Sequence, residues 1–211
     1  MRENRYEREP GYALRYRDRR FRTGSGPRTH ARETGALARL LARVQGLRGP
    51  WLDVPSGAGR MSAHLPQPVV QADRDLRMLE AAGVGAPRVC ASGLALPFPD
   101  RAFAGVLCMR LMHHIADEKV RLQVLRELCR VTQGPVVLSF FHSASLQHLR
   151  RVVGRWLGRH VSGRTALTFR RFHAELDAAG LRLVQAIPLR RYVSEQWLVL
   201  AQRSAADTAG P

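Results

Sequence analysis

The sequence predicts an α/β protein in which a Rossmann-like, doubly wound sheet of about seven strands is covered by helices on both faces. The sheet is expected to be mostly parallel, with an antiparallel hairpin at its C-terminal edge. One observation is the stretch WLDVPSGAGR at 51–60, in which an apolar run ends in Asp53 and a small-residue loop follows. Another is the run VVQAD at 69–73, which ends in a second acid, Asp73. The third is the alternation of short apolar runs with helical patterns, which is typical of a parallel sheet covered on both sides.

The first half of the chain supplies the early elements of this sheet. Apolar side chains at helical spacing predict a helix over 30–47, which nearby glycines and a proline end. A second helix, over 74–83, is predicted to place Leu76, Leu79 and Ala82 on one face. The predicted strands of the whole chain are 51–53, 69–73, 88–91, 103–109, 135–141, 181–188 and 197–201.

The second half contains two further helices and a basic insertion. An amphipathic helix is predicted over 117–132 and a last helix over 170–180. Between them, residues 142–171 are basic and carry Leu, Val and Trp at helical spacing. We expect this insertion to cap the functional site, although its amphipathic face could instead rest on a membrane surface.

The charge of the chain is strongly positive. It carries 34 Lys and Arg against 17 Asp and Glu, a formal net charge of +17, and Lys119 is its single lysine. Codon bias in a GC-rich genome explains arginine in place of lysine, but it does not explain a twofold excess of bases. The excess favours an acidic partner such as nucleic acid, anionic lipid or a phosphorylated substrate, with ordinary surface charge as the alternative.

The N-terminal segment at 1–30 concentrates this charge, with arginines and interleaved aromatic side chains. We expect it to fold over the functional site as a lid. An RNA-binding arm is the alternative, because Arg and Tyr can stack on bases, and a disordered tail is the third reading. The main domain is predicted at 31–203, and the last residues, 204–211, are predicted to be a disordered tail.

Composition also limits the compartment. The sequence contains no run of 18 apolar residues, so no transmembrane helix is predicted. The N-terminus is too charged for a signal peptide. Cys90, Cys108 and Cys129 form no C-x-x-C pair, and their apolar neighbours predict buried, reduced thiols in a cytoplasmic protein. Their spacing predicts no metal site.

The loop after the first predicted strand has the chemistry of a cofactor site. Gly57 and Gly59 lack a Cβ, so backbone N–H groups can approach a ligand closely, and a following helix N-terminus adds partial positive charge. Asp73, at the tip of the second strand, is placed to accept hydrogen bonds from both hydroxyls of a ribose.

Four segments, in this order and spacing, resemble the class I S-adenosylmethionine-dependent methyltransferases, in particular the small-molecule branch that includes the ubiquinone-type enzymes. They are WLDVPSGAGR at 51–60, VVQADRDLRMLEAA at 69–82, ASGLALPFPDRAFAGVLCMRLMHHI at 91–115 and LRELCRVTQGPVVLSFF at 125–141. The resemblance implies an enzyme that transfers a methyl group from S-adenosylmethionine to an oxygen, nitrogen or carbon atom. The acceptor would be a small or lipid-like molecule, and the charge of the chain favours an anionic one.

The resemblance also implies roles for individual residues. Asp53 would act on the amino group of the cofactor and Asp73 on its ribose. Two positions depart from the family pattern: Pro55 replaces a loop glycine, and Ser92 replaces an acid that binds adenine, which removes about 1 kcal/mol of charge-assisted bonding. The implied cofactor-binding residues are Asp53, Ser56, Gly57, Ala58, Gly59, Asp73, Arg74, Ser92, Gly93, Leu94, Met109 and Arg110.

Three histidines are candidates for a catalytic base. His113 and His114 follow the fourth predicted strand and His142 follows the fifth, at the edge where a parallel sheet binds ligands. Methyl transfer needs a base only when the acceptor must lose a proton, so a structural role for these histidines is the alternative.

Two other functions stay open at this point. One is an RNA-directed methyltransferase or RNA-binding protein that uses the Arg-rich N-terminus. The other is a non-catalytic module with the cofactor fold. The stretch CMRLMHH after the fourth strand contains no N-P-P-Y-type motif, which argues against methylation of adenine N6 or glutamine.

Overall fold

The computed structural model describes residues 11–204 except 45, 84 and 162. The predictions for residues 1–10 and for the tail at 205–211 lie outside this part of the chain. The helices are α1 Tyr12–Arg19, α2 Gly26–Leu41, α3 Leu76–Ala81, α4 Glu118–Val131, α5 Leu146–Trp156 and α6 Phe169–Ala178. The strands are β1 Trp51–Asp53, β2 Val69–Asp73, β3 Arg88–Cys90, β4 Gly105–Cys108, β5 Val136–Phe141, β6 Leu181–Pro188 and β7 Gln196–Arg203.

The seven strands form one sheet in the order β3-β2-β1-β4-β5-β7-β6. The first five strands in this order are parallel, and β7 pairs antiparallel with both β5 and β6. This arrangement confirms the predicted fold class, including the antiparallel hairpin at the edge. Because the chain leaves β1 toward β2 and later returns to β4 on the other side, the sheet reverses its winding direction there. The carboxyl ends of β1 and β4 therefore flank the place where such sheets bind ligands.

Apolar side chains cover both faces of the sheet. On one face, α4 and α6 pack against the strands through fully buried residues that include Leu125, Leu128 and Phe172. On the other face, α2 contributes Leu37 and Leu40 to a second buried cluster. Helices on both faces explain why the central strands are continuous apolar runs.

Several predicted details are wrong. The predicted helix at 30–47 begins earlier, at Gly26, because Pro27 presets the first turn, and it ends at Leu41. Leu76 does not lie on the inner face of α3: it is 56% exposed, because Asp75 caps the helix there and the turn leaves the side chain in solvent. Cys90 is exposed, since it ends the edge strand β3, whereas Cys108 and Cys129 are buried.

In the described part of the chain, no helix has both the length and the apolar character needed to cross a membrane.

Candidate functional site

Asp53 ends β1 at the switch in winding direction and is almost completely buried. Its Oδ2 accepts a hydrogen bond of 2.6 Å from the Ser62 hydroxyl, which in turn accepts one of 2.9 Å from Gln71 Nε2. Asp53 Oδ1 has no hydrogen-bond partner among the described residues. A buried carboxylate oxygen without a donor is costly, so this atom is suited to receive a donor from a ligand.

Burial raises the pKa of Asp53 to about 7, against the lowering effects of the Ser62 hydroxyl and the Arg60 charge. Between about pH 4 and pH 7, the folded state therefore keeps a proton on the Asp53 carboxyl, whereas the unfolded state has lost it. By linkage, the free energy of unfolding falls as the pH rises from about 4 to about 7.

This linkage gives a testable expectation. Asp53→Asn should remove the decrease, which amounts to at most about 4 kcal/mol for a shift of roughly three pKa units. Urea unfolding of both proteins between pH 4 and 8 measures it. Asp100→Asn is the control, because the Asp100 side chain is 74% exposed. A wild-type stability profile with the same slope as that of Asp53→Asn would contradict the expectation.

The loop after Asp53 is shaped by two glycines with positive φ, Gly57 at 53° and Gly59 at 72°. A Cβ on Gly59 would lie 2.8 Å from Gln71 Nε2 and 3.2 Å from Ala82 Cβ, so the loop packs closely against β2 and the residue after α3. Pro55 follows a cis peptide bond, and the next residue, Ser56, donates its backbone N–H to Ala72. The turn therefore forms with proline at a position that needs no donor.

Asp73 ends β2 beside this loop and is 7% exposed. One carboxylate oxygen accepts a hydrogen bond of 2.8 Å from Gly57 N, and the other accepts one of 2.9 Å from Asp75 N. Burial raises the pKa of Asp73, and these two backbone hydrogen bonds oppose that effect. The carboxylate is thus held in a fixed orientation, and each oxygen keeps a lone pair for a further donor.

The remaining residues predicted to bind a cofactor take mixed positions. Ser92 is exposed, and its hydroxyl accepts a hydrogen bond of 3.3 Å from Leu94 N. Gly93 lies opposite Leu111, which belongs to the loop after β4. Arg74 is exposed, and Met109 is buried beneath the end of β4. Ser56, Ala58 and Arg110 lie in or opposite the loop as partly or fully buried residues.

Glu33 of α2 is a site residue that the sequence analysis missed. It is fully buried, with one oxygen 2.6 Å from Arg60 and the other 3.0 Å from Arg110. Gln196 of β7 donates a third hydrogen bond of 2.7 Å to it. Glu33 is the single acid of α2, which is the one signal that could have indicated a buried partner in an Arg-rich segment.

Phe21 closes the loop side of the site from above. Its ring is buried and lies 3.8 Å from the Arg60 guanidinium and 5.5 Å from that of Arg110. Arg17 of α1 also donates a hydrogen bond of 3.0 Å to the carbonyl of Ala81 at the end of α3. The described part of the predicted lid therefore packs over the loop.

The structure brings two of the three candidate histidines together. His113 is 1% exposed and stacks on Phe141 at a centroid distance of 3.9 Å, and the His114 ring is 4.2 Å away. His142 lies apart, because its ring contacts Phe169 and other residues on the opposite face of β5. Burial lowers the pKa of His142.

His113 is held neutral by its surroundings. Burial first, and then the nearby His114, Arg110, Arg164 and Arg151, lower its pKa to about 2. Neither ring nitrogen has a hydrogen-bond partner among the described residues. A neutral imidazole can donate or accept a hydrogen bond from a ligand, but it holds a proton poorly at neutral pH.

Arg164 is the unbalanced charge of this region. Its guanidinium lies 5.7 Å from the centre of the Phe141 ring, and no carboxylate within the described chain lies at ion-pair distance from it. Burial, and then the charges of Arg110, Arg20 and Arg151, lower the pKa of Arg164. Glu33 is already shared by two arginines and Glu195 pairs with Arg151, so this end of the site has an excess of positive charge.

Comparisons with known proteins agree with this geometry. Residues 52–139 match the family model described as "Methyltransferase domain". Magnesium protoporphyrin IX methyltransferase from Synechocystis PCC 6803, solved with bound SAH, is similar with a TM-score of 0.69 and 16% identity, over 83% of this chain and 84% of that one. A methyltransferase from Clostridium acetobutylicum gives 0.68 and 10% identity, over 91% and 97%. These two likenesses show the fold.

A curated relative is the tRNA (carboxymethyluridine(34)-5-O)-methyltransferase of Schizosaccharomyces pombe, which is 28% identical over 102 residues. The match covers 47% of this chain and 45% of the relative, so the chain spans less than half the length of that protein. Residues 52–139 thus match a methyltransferase domain, and the sheet with its switch-point loop has the fold of S-adenosylmethionine-dependent methyltransferases.

Proposed function

We propose that the protein transfers a methyl group from S-adenosylmethionine to a small anionic acceptor. The observation that carries the proposal is the pair of buried acids, Asp53 and Asp73, that flank a loop with positive φ at Gly57 and Gly59. The vacant hydrogen-bonding capacity of Asp53 Oδ1 fits the ammonium group of the cofactor. The fixed carboxylate of Asp73 fits two ribose hydroxyls.

The cofactor supplies an electrophilic methyl group on a positively charged sulfur. Asp53, Asp73 and the loop around Gly57 and Gly59 would hold the cofactor, and Ser92 and Leu94 would lie beside its adenine. The enzyme must then align the acceptor and exclude water. Phe21 and α2 cover the loop side and support that exclusion.

The acceptor side of the site favours an anion. Arg164 lacks a carboxylate partner in the described chain, and His113 presents two unpartnered ring nitrogens beside it. A carboxylate acceptor has no proton to lose, so its oxygen can attack the methyl group without a base. That requirement fits His113, whose pKa of about 2 makes it a poor base and a suitable hydrogen-bonding partner.

Titration calorimetry with S-adenosylhomocysteine tests the cofactor site. We expect one-to-one binding with a Kd on the order of micromolar, about −8 kcal/mol. An absence of binding at millimolar concentration would contradict the proposal and leave the non-catalytic module as the function.

Arg164→Gln tests the charge of the acceptor. A screen with carboxylic acids, each paired with its own amide, should give methylation of the free acids. For an acid so identified, Arg164→Gln should raise KM at least about tenfold with a smaller change in kcat, because a charged hydrogen bond contributes roughly 1.5–3 kcal/mol.

The matched control for this variant is Arg182→Gln, since Arg182 is exposed on β6. Equal methylation of an acid and its amide, or equal KM values for the two variants, would contradict an anionic acceptor.

RNA is the second candidate acceptor. It is favoured by the net charge of +17 and by the relative that acts on tRNA. An RNA-directed enzyme predicts binding that weakens steeply with salt. Removal of residues 1–26 should then lower RNA affinity by at least about tenfold, and an unchanged affinity would eliminate the N-terminal arm as the RNA-binding element.

A further inference from the structure

Helix α5 presents its apolar face to solvent. Among the described residues, eleven large hydrophobic side chains are exposed, and six of them lie on this helix or directly after it. Trp156 is the most exposed, at 85%. The six are Leu146, Leu149, Val152, Val153, Trp156 and Leu157.

The polar side of the same helix faces the protein. Arg151 pairs at 3.0 Å with the buried Glu195, and His148 lies 3.4 Å from the same carboxylate. Gln147 accepts a hydrogen bond of 3.3 Å from the Glu195 backbone, and Gly154 is buried. At 3.6 residues per turn, the six apolar side chains share an arc of about 140° on the opposite side. The helix is therefore oriented the reverse way from an ordinary surface helix, whose apolar stripe packs on the core.

Basic residues border this apolar face. Arg150 and Arg155 are exposed on its two sides, and Arg159 follows the helix. The sequence from 142 to 164 contains five arginines and no acid. A helix with Leu, Val and Trp on one face and arginines along the borders of that face has the composition of helices that lie in the headgroup region of a bilayer.

We propose that α5 is a membrane-binding surface that docks the protein on anionic phospholipid. An anionic bilayer offers both a region for the six apolar side chains and phosphates for the flanking arginines. A single-stranded RNA would contact the arginines, but it has no use for five exposed Leu and Val side chains. A second copy of the chain would bring two rows of arginines together. The inference goes beyond the proposed methyl transfer and does not depend on it.

Vesicle binding of the full chain tests this surface. The protein should co-sediment with phosphatidylcholine vesicles that contain phosphatidylglycerol, and binding should weaken with salt and without the anionic lipid. Tryptophan emission should shift to the blue, because Trp156 is exposed in the free protein whereas Trp51 is fully buried. The shift should disappear in Trp156→Phe.

Two double variants separate the apolar face from general hydrophobicity. Leu149→Gln/Val153→Gln should lower vesicle affinity at least about tenfold. Leu76→Gln/Val184→Gln removes a comparable pair of exposed side chains from other elements and should bind as the wild type does. Matching unfolding midpoints for both variants would establish that the helix is intact. Arg150→Gln/Arg155→Gln should also weaken binding to the anionic vesicles.

Three outcomes would overturn the inference. The first is wild-type vesicle binding by the Leu149/Val153 double variant. The second is a wild type that does not bind the vesicles but binds a single-stranded RNA oligonucleotide, with the RNA binding lost in Arg150→Gln/Arg155→Gln. The third is a dimer in size-exclusion chromatography that the Leu149/Val153 double variant converts to a monomer.

Discussion

Asp73→Ala should weaken binding of S-adenosylhomocysteine more than 100-fold. Two hydrogen bonds from ribose hydroxyls to a charged carboxylate contribute roughly 1.5 kcal/mol or more each, and about 1.4 kcal/mol is tenfold in Kd. The substitution also removes the acceptor of the 2.8 Å hydrogen bond from Gly57 N, and this bond holds the loop in place. Titration calorimetry on wild type and variant gives the two constants.

Two further variants make this result specific. Asp73→Asn keeps one acceptor oxygen and should lose about tenfold, since the remaining bond is no longer charge-assisted. Asp100→Ala removes an exposed carboxylate at the other end of the sheet and should bind as the wild type does. An Asp73→Ala protein that melts normally and binds within threefold of the wild type would show that Asp73 is not the ribose ligand. A wild type that fails to bind would instead contradict the cofactor proposal itself.

Glu33→Ala should cause a large loss of stability. The buried carboxylate accepts hydrogen bonds from Arg60, Arg110 and Gln196, and its removal leaves three donors without their partner. Breaking a buried ion pair costs about 3–5 kcal/mol, and the lower end applies here because the two guanidiniums are 20% and 17% exposed. The melting temperature should fall by roughly 6–12 °C for a chain of this length.

The control is another Glu–Arg pair of the same length in a different environment. Glu118 lies 2.6 Å from Arg171, as Glu33 does from Arg60, but its side chain is 48% exposed. Glu118→Ala should therefore cost about 0–1 kcal/mol. Differential scanning calorimetry of the two variants compares them directly. Equal melting temperatures would mean that the Glu33 cluster does not hold α2 against the site.

The contacts of Glu33 with two arginines and with Gln196 also explain how the basic helix α2 can pack onto a basic site. Arg60 and Arg110 would repel a helix as basic as α2 unless a carboxylate lay between them. Phe21 adds an aromatic surface over Arg60. In its described part, the predicted lid thus packs on Arg60 through the buried ring of Phe21, next to the ion pairs of Glu33.

The sequence by itself determined the sheet and its ligand-binding edge. Apolar runs such as 103–109 and 135–141 specify buried strands, and a strand followed by small residues specifies the loop with Gly57 and Gly59. These features depend on residues close together in the chain. The positions of Asp53 and Asp73 at the ends of β1 and β2 could be predicted for the same reason, because each ends an apolar run.

Only the tertiary structure decided which distant side chains meet and which face of a helix is outward. Glu33 lies 163 residues from its partner Gln196, so no local pattern links them. His142 follows β5 as His113 follows β4, but the two rings pack on opposite faces of β5. The periodicity of α5 marks an apolar face without showing its direction. That direction follows from Glu195, whose buried carboxylate attracts the polar side of the helix inward and leaves the apolar side in solvent.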